Sequence, residues 1–311
     1  MHPIILLFIK KINIYLLALF LFIGNAKANT PQDTASLNKK RFVSVLATET
    51  GLSATSLILL NNLWYKDYPR AGFLFFNDNN EWLLMDKCGH TTTSYRIAGT
   101  GYYLLKWSGV SEKRALWYGG TTGLIYLTAI EVLDGYSKEW GFSPGDEIAN
   151  LLGSSLFIGQ QLLWKDQRLK LKWSFHQTNY APYRPDLLGK NLAENVLKDY
   201  NGQTYWLSAN INSFLFSKSK FPNWLNFALG YGADGMLGAR TNPSYYKDKL
   251  LPTYKRGRQF YMSADIDLSK IKTKSSFLKT VLNIAGFVKI PMPTLEYNTS
   301  NKKMKGYYLY F

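Results

Sequence analysis

Gln160-Gln161-Leu162-Leu163-Trp164-Lys165-Asp166-Gln167-Arg168-Leu169-Lys170-Leu171-Lys172-Trp173-Ser174-Phe175-His176 is where the chain changes its period. Before Arg168 the apolar residues recur at helical spacing. After it Leu169, Leu171, Trp173 and Phe175 alternate strictly with Lys170, Lys172, Ser174 and His176, as on a strand with two unlike faces. The chain therefore reads as α+β, with an N-terminal bundle of about four apolar helices followed by an antiparallel β-rich half.

Upstream of the switch, 41–63, 86–106, 112–133 and 146–164 are each long enough for several turns, rich in Leu, Ile, Ala and Gly, and separated by Pro, Gly and Asn. Glu49, Glu131 and the Gln160-Gln161 pair interrupt the apolar runs, so none is a clean membrane span, and polar groups there need partners. Downstream, Phe227, Leu229, Tyr231 and Ala233 alternate with Ala228, Gly230, Gly232 and Asp234. Phe260, Met262, Ala264, Ile266 and Leu268 do the same against Tyr261, Ser263, Asp265 and Asp267. With 204–214, 284–290, 293–299 and 305–311 this makes about seven strands, or eight if Ala71 to Phe76 adds one.

Period-two alternation fits a periplasmic sheet with one face on a core, and it fits a small outer-membrane barrel equally well. The ending Tyr307, Leu309, Phe311, with the three residues placed on one face, is similar to the terminal aromatic signal of outer-membrane strands. That resemblance implies the barrel-assembly machinery as a partner.

Lys10 and Lys11, the apolar run Ile12 to Ile23 and the small-x-small Ala26-Lys27-Ala28 have the order of a cleavable export signal, with a mature start near Asn29. The expected organisation is a signal over 1–28, a linker over 29–40, a helical domain over 41–167 and a β-rich domain over 168–311. Export places the chain in the envelope of a Gram-negative-type cell, in the outer membrane or periplasm. Loss of Lys10, Lys11 and Lys27 with the signal lowers the net charge from +16 to +13, a balance suited to anionic lipid head groups or envelope glycans. Nucleic-acid motifs are lacking. The single cysteine, Cys88, permits no internal disulfide.

Three polar pairs sit at helical spacing within apolar helices: Asp86 with His90, Glu131 with Asp134, and Asp146 with Asn150. Carboxylates with one imidazole make a site for a divalent metal, or an acid and base pair separated by burial. Asp86, His90 and Glu131 are the candidate catalytic residues; all six are candidate metal ligands. Each pair also has a structural reading. Ser143-Pro144-Gly145-Asp146 has the form of a helix start, with Asp146 reaching back as in a capping box; Gly135 suits a left-handed helix end; Asp86 suits a cap. Glu131, after Leu124, Ile125, Tyr126, Leu127 and Ile130, is hardest to explain without a partner. Lys87 and Tyr95-Arg96 would either solvate or bring positive charge to an anionic substrate, and His176 is expected exposed.

Asp86-Lys87-Cys88-Gly89-His90, Glu131-Val132-Leu133-Asp134-Gly135 and Gly141-Phe142-Ser143-Pro144-Gly145-Asp146-Glu147-Ile148-Ala149-Asn150, with Gly153 following, resemble the YfiM-like family of periplasmic (lipo)proteins of unknown function. More distantly, the D-K-x-x-H, glutamate and D-x-x-x-N elements are similar to those of VanZ-like membrane proteins, which occur in the same order. The resemblance covers roughly residues 40–165 and implies no agreed reaction. It departs from lipoprotein members in having no cysteine at the cleavage junction. Two functions follow as expectations: an envelope protein with a polar Asp/His/Glu cluster between helices and no assigned activity, or a metal-dependent enzyme acting on a lipid or cell-wall intermediate.

Overall fold

The computed structural model describes residues 36–61, 69–215 and 221–310, so the export signal with its Ala28 junction, and Phe311, lie outside the described residues. Four long helices come first: α1 (Lys39–Leu60), α2 (Met85–Trp107), α3 (Thr122–Gly135) and α4 (Pro144–Trp164). Asn38 caps α1 by accepting the Arg41 N–H at 3.0 Å. Val45 is the one residue α1 buries, and among the described residues α1 is the helix long and apolar enough to cross a membrane.

Helices α2, α3 and α4 meet at glycines. A Cβ on Gly123 of α3 would stand 2.2 Å from Ser94 O of α2, and one on Gly153 of α4 would stand 2.2 Å from Thr91 O. Backbones this close leave no room for longer side chains, so polar groups bridge them. Ser94 Oγ donates to Asn150 O at 2.6 Å, and Leu124 N–H donates to Ser154 Oγ at 3.1 Å. Further along, Tyr95, Ala98, Tyr102, Leu105, Leu116, Phe157 and Ile158 form an ordinary apolar core.

The expected count of about four helices is too low. Seven α-helices of four residues or more lie among the described residues, because Pro185–Leu188, α5 (Leu192–Lys198) and α6 (Ser276–Ala285) follow the switch. The expected helix over 112–133 is also divided. A short piece, Glu112–Arg114, opens into a wide turn over Ala115–Gly119 before α3 begins, where Gly119 packs against the backbone of Gly101 and Tyr102.

The strands are β1 (Leu169–Phe175), β2 (Gln203–Asn210), β3 (Leu225–Asp234), a small hairpin β4 (Tyr245–Tyr246) and β5 (Lys249–Leu250), β6 (Gly257–Ile266), β7 (Met292–Asn298) and β8 (Lys303–Tyr310). Six of them form one antiparallel sheet in the order β1-β2-β3-β6-β7-β8. Its register aligns side chains in rows. On one face run Leu171, Leu207, Leu229, Met262, Leu295 and Gly306, and beside them Trp173, Tyr205, Tyr231, Phe260, Tyr297 and Met304. On the other run Lys172, Trp206, Gly230, Tyr261, Glu296 and Lys305, then Lys170, Ser208, Ala228, Ser263, Thr294 and Tyr307.

The polar face is the buried one. Lys172, Lys289 and Asp265 have no exposed side-chain surface: Lys172 Nζ lies 2.6 Å from Asp265 Oδ2 and donates to Ile266 O at 2.8 Å. Lys289 Nζ donates to Ala264 O and Ile290 O, both at 2.9 Å, and lies 4.9 Å over the Trp206 ring. Ser208 Oγ donates to Asp265 at 2.6 Å, Asn226 donates to Ser208, and Tyr307 OH donates to Glu296 at 2.6 Å. Reach from β1 to β6 across two intervening strands requires the sheet to curl around these groups.

The barrel reading is corrected at this point, because the curled sheet does not close. The free edge of β1 is taken by residues 287–289, with Trp173 N–H donating to Phe287 O and Lys289 N–H to Trp173 O. That segment was expected as a strand over 284–290, but its start is the last turn of α6. Ala71 to Phe76 adds no strand to the sheet; Phe75 makes a single bridge to Phe142. A bulge opposite Met292 and Thr294 also shifts the C-terminal register. Tyr307 and Tyr310 therefore turn inward while Leu309 is exposed, against the expectation that Tyr307 and Leu309 share a face.

Candidate metal centre

The site stands where α2 and α4 begin and α3 ends. Helix α2 is introduced by three residues in left-handed conformation, Trp82, Leu83 and Leu84, with φ of 46°, 52° and 71°. Such residues resist this region. Here the sheet side of the molecule holds them, through Trp82 N–H on Ala239 O at 2.7 Å and Tyr231 OH on Leu83 O. Asp86 then falls in the first turn of α2, and no side chain caps that helix.

Helix α4 starts as its sequence suggests, with Ser143 Oγ accepting the Asp146 N–H at 3.0 Å and Pro144 in the first turn. The reciprocal half of the capping box comes from elsewhere. Glu131 of α3 accepts the Ser143 N–H through Oε2 at 3.1 Å, and Ser143 Oγ donates to Asp78 at 2.6 Å. Helix α3 ends without a left-handed glycine; Gly135 is helical, and a Cβ there would strike Phe73 at 2.4 Å.

His90 Nδ1 lies 2.9 Å from Asn150 Oδ1, while Asn150 Nδ2 donates to Glu147 at 3.4 Å. A carbonyl oxygen only accepts, so Nδ1 donates to Asn150, and in a neutral imidazole the lone pair then falls on Nε2. Nε2 points at carboxylates: Glu131 Oε1 at 3.7 Å and Asp146 Oδ1 at 3.8 Å. One ligand atom from each of His90, Glu131 and Asp146 falls within 4.8 Å of the others, and a second such group joins Asp78, Asp86 and Asp146.

The second group already holds a cation. Lys87 Nζ lies 2.6 Å from Asp78, 2.9 Å from Asp86 and 2.9 Å from Asp146. Burial works against its ammonium, but Asp86, Asp78 and Asp146 together raise its pKa. Lys87 is thus neither solvated nor free for an anionic substrate. The first group shares Asp146 Oδ1 with Lys87, and its other carboxylate, Glu131, lies 3.7 Å from His90. Burial, reinforced by Asp146 and Asp134, pushes the Glu131 carboxyl up to about 8, against the Ser143 N–H. Asp146 rises to about 6 through burial, with Asp78 and Asp86 adding to it and His90 opposing. Asp78 is lowered despite its burial by Lys87 and Ser143. A carboxyl whose ionisation is disfavoured by burial and by neighbouring carboxylates, facing an imidazole nitrogen, marks a place where an added positive charge would be stabilised. The His90 side chain is 22 % exposed, so the group opens to solvent.

Of the six residues proposed from sequence, His90, Glu131 and Asp146 converge, Asn150 orients His90, and Asp86 belongs to the Lys87 group. Asp134 supplies no ligand atom to either group; its charge acts on Glu131, and its backbone oxygen accepts from Ser137 and Gly141. Sequence reasoning missed Asp78, which sits in the turn run Asn77-Asp78-Asn79-Asn80, where no periodicity marks it. Arg96 lies 5.1 Å over the Phe287 ring, Tyr95 OH bonds Gln167 and Leu169 O, and neither reaches the site. His176 is half-buried, its ring 5.8 Å from that of Tyr310.

An apolar helical layer with a carboxylate and imidazole pocket, joined to a curled antiparallel sheet, defines an α+β protein. Residues 74–159 match the family described as predicted periplasmic lipoprotein (DUF2279). The match runs from just before α2 into α4 and contains every residue of the site. It bears out the YfiM-like resemblance over that stretch and places the chain in the cell envelope. The chain has no match among curated proteins and none among solved structures.

Proposed function

We propose that His90, Glu131 and Asp146 hold a divalent metal ion, and that the chain is a metal-dependent enzyme acting on a lipid or cell-wall intermediate. The observation that carries this reading is the convergence of Nε2 and two carboxylates, with one ligand atom from each within 4.8 Å of the others, at a place where Asp146 Oδ1 is shared with Lys87. An imidazole and two carboxylates are ligands for Zn²⁺ or a similar ion, and three protein ligands leave a position for water or substrate. A bound ion of this kind lowers the pKa of its water and polarises an ester or phosphoryl oxygen. Asn150 and the Ser143 N–H are the outer groups that would fix His90 and Glu131. The envelope supplies the substrate class.

Titration of purified, chelator-treated protein with Zn²⁺ and Mn²⁺, read by calorimetry and by metal content after dialysis, tests it. One ion per chain is expected, with binding lost in His90→Ala and Glu131→Gln while the far-ultraviolet circular dichroism is unchanged. Failure of the wild-type protein to retain either ion would end the metal reading and leave an ion-pair network that ties three helices together.

A further inference from the structure

We infer that the outward face of the sheet is a lipid-docking surface that seats the protein in a bilayer rich in anionic phospholipid. A sheet in water buries its apolar face and wets its polar one. Here the arrangement is reversed. The interior holds Lys172, Lys289 and Asp265, while Leu207, Phe227, Leu229, Phe260, Met262, Leu295, Tyr297 and Met304 on the other face are 38 % to 72 % exposed. The helical side covers this face at its β1 end, where Leu171 joins the helical core, and along one rim of β2 and β3, where Tyr205 OH reaches Gly89 and Tyr231 OH donates to Leu83 O. Contiguous apolar area of this extent on a protein surface marks contact with another apolar phase.

Register shows that the phase is layered. The aliphatic row through Leu229 and Met262 is bordered by the aromatic row through Tyr231, Phe260 and Tyr297, and rings of that kind concentrate where hydrocarbon meets head groups. Beyond the aromatic row Arg258 and Lys303 are exposed. From Phe260 to Ile266 the apolar stretch of β6 covers roughly 20 Å, close to the roughly 25 Å band of lipid-facing strands. Its far end leads to Asp267, exposed Lys272 and Lys274, and α6, whose Phe277, Leu278 and Val281 are exposed. Lysines beside an exposed apolar helix face fit an interface with anionic lipid. Gly306 shortens the aliphatic row and leaves an open furrow beside Leu295 and Pro293 on this face.

Full-length protein, with Cys88→Ser and a single fluorophore placed at Met262→Cys, is mixed with vesicles of phosphatidylcholine and phosphatidylglycerol (3:1), some carrying doxyl-labelled acyl chains. The expected result is co-flotation with the vesicles and at least a twofold loss of fluorescence to the doxyl lipid. A fluorophore at Ser53→Cys on α1 reports whether quenching is confined to the sheet. Leu229→Glu with Met262→Glu, both exposed positions, should abolish flotation at unchanged circular dichroism. If the pair fails to fold, the labelled single variant still decides the matter. Protein that stays in the aqueous fraction, floats without quenching at position 262, or shields the label by forming a dimer in vesicle-free buffer would overturn the inference.

Discussion

The helical block and the sheet of this protein solve burial in opposite ways. Around Tyr95, Tyr102, Leu116 and Phe157 the helices bury an apolar core, with Ser94, Ser154, Gln160, Gln161 and the carboxylate pocket as its polar inclusions. The sheet buries Lys172, Lys289, Asp265 and Glu296 and turns its leucines and methionines outward. The first arrangement gains stability from excluding water from hydrocarbon. The second rests on hydrogen bonds and paired charges, and an outward apolar face adds to stability only if something apolar meets it.

The largest test of that contrast is Asp265. It is the buried counter-ion of Lys172 at 2.6 Å, lies 3.9 Å from Lys289 and accepts from Ser208. Asp265→Ala leaves two buried ammonium groups without their carboxylate, and a loss of about 3–5 kcal/mol is expected. Denaturant unfolding in detergent micelles measures it. An effect below about 1 kcal/mol would show that the interior of the sheet is wet, and that its polarity is ordinary solvation.

A smaller effect is expected in the helical pocket. Asn150→Ala removes the acceptor that fixes the His90 ring but none of the three proposed ligands, so the fold should stand and metal affinity should fall about 10- to 100-fold. Calorimetry with Zn²⁺ reads this directly. Unchanged affinity would mean that Asn150 serves helix packing alone.

How much of this was legible beforehand differs between the halves for a physical reason. Helical spacing within apolar runs marked His90, Glu131, Asp146 and Asn150, because a polar side chain in such a run needs a partner wherever it goes. Asp78 carried no such mark, since a turn rich in Asn and Asp is self-explanatory, and nothing local reveals that Trp82, Leu83 and Leu84 adopt left-handed conformations held by Ala239 and Tyr231. In the sheet, alternation separated the two faces of β1, β3 and β6 correctly. It is silent on which face is inside, because a period of two is symmetric; only the reach of Lys172 across two strands to Asp265 decides it. Closure was equally hidden, since it depends on residues 287–289 taking the edge of β1.

The pocket should also impose a pH dependence on metal-free protein. Burial raises the Glu131 carboxyl from 4.5 to about 8, so between those values the native state holds a proton that the unfolded state has released. More protons in the native state means that stability falls as pH rises through this window, by at most about 1.4 kcal/mol per pH unit. Asp146, raised toward about 6, acts in the same direction at the lower end. Glu131→Gln removes the larger contribution. Unfolding curves taken in chelator from pH 5 to 8 should therefore slope downward for the wild type and less steeply for the variant, which becomes the more stable of the two near pH 8. Parallel curves would show that Glu131 is already ionised and compensated, and the pocket would then be a closed ion-pair network.

The smallest expected effect returns to the sheet, where Met262 and Ser263 are neighbours on β6 that face opposite ways. Met262 is 50 % exposed on the outward face, and Ser263 Oγ is buried among Lys289, Thr294 and the oxygen of Ala264. Were the outward face a hidden core, truncating Met262 would cost about 2–5 kcal/mol, as removal of a buried methionine does. A half-exposed side chain touching only detergent or lipid is different, because both the folded and the unfolded chain keep it in similar surroundings. Met262→Ser should thus change unfolding stability in micelles by no more than about 0.5 kcal/mol. Ser263→Leu, one residue away, forces an apolar side chain among hydrogen-bonding groups and should cost well over 1 kcal/mol by leaving Lys289 and Thr294 short of a partner. Chemical denaturation of the two variants beside the wild type measures the difference. A larger loss at Met262 than at Ser263 would reverse the assignment of inside and outside, and with it the contrast between the two halves.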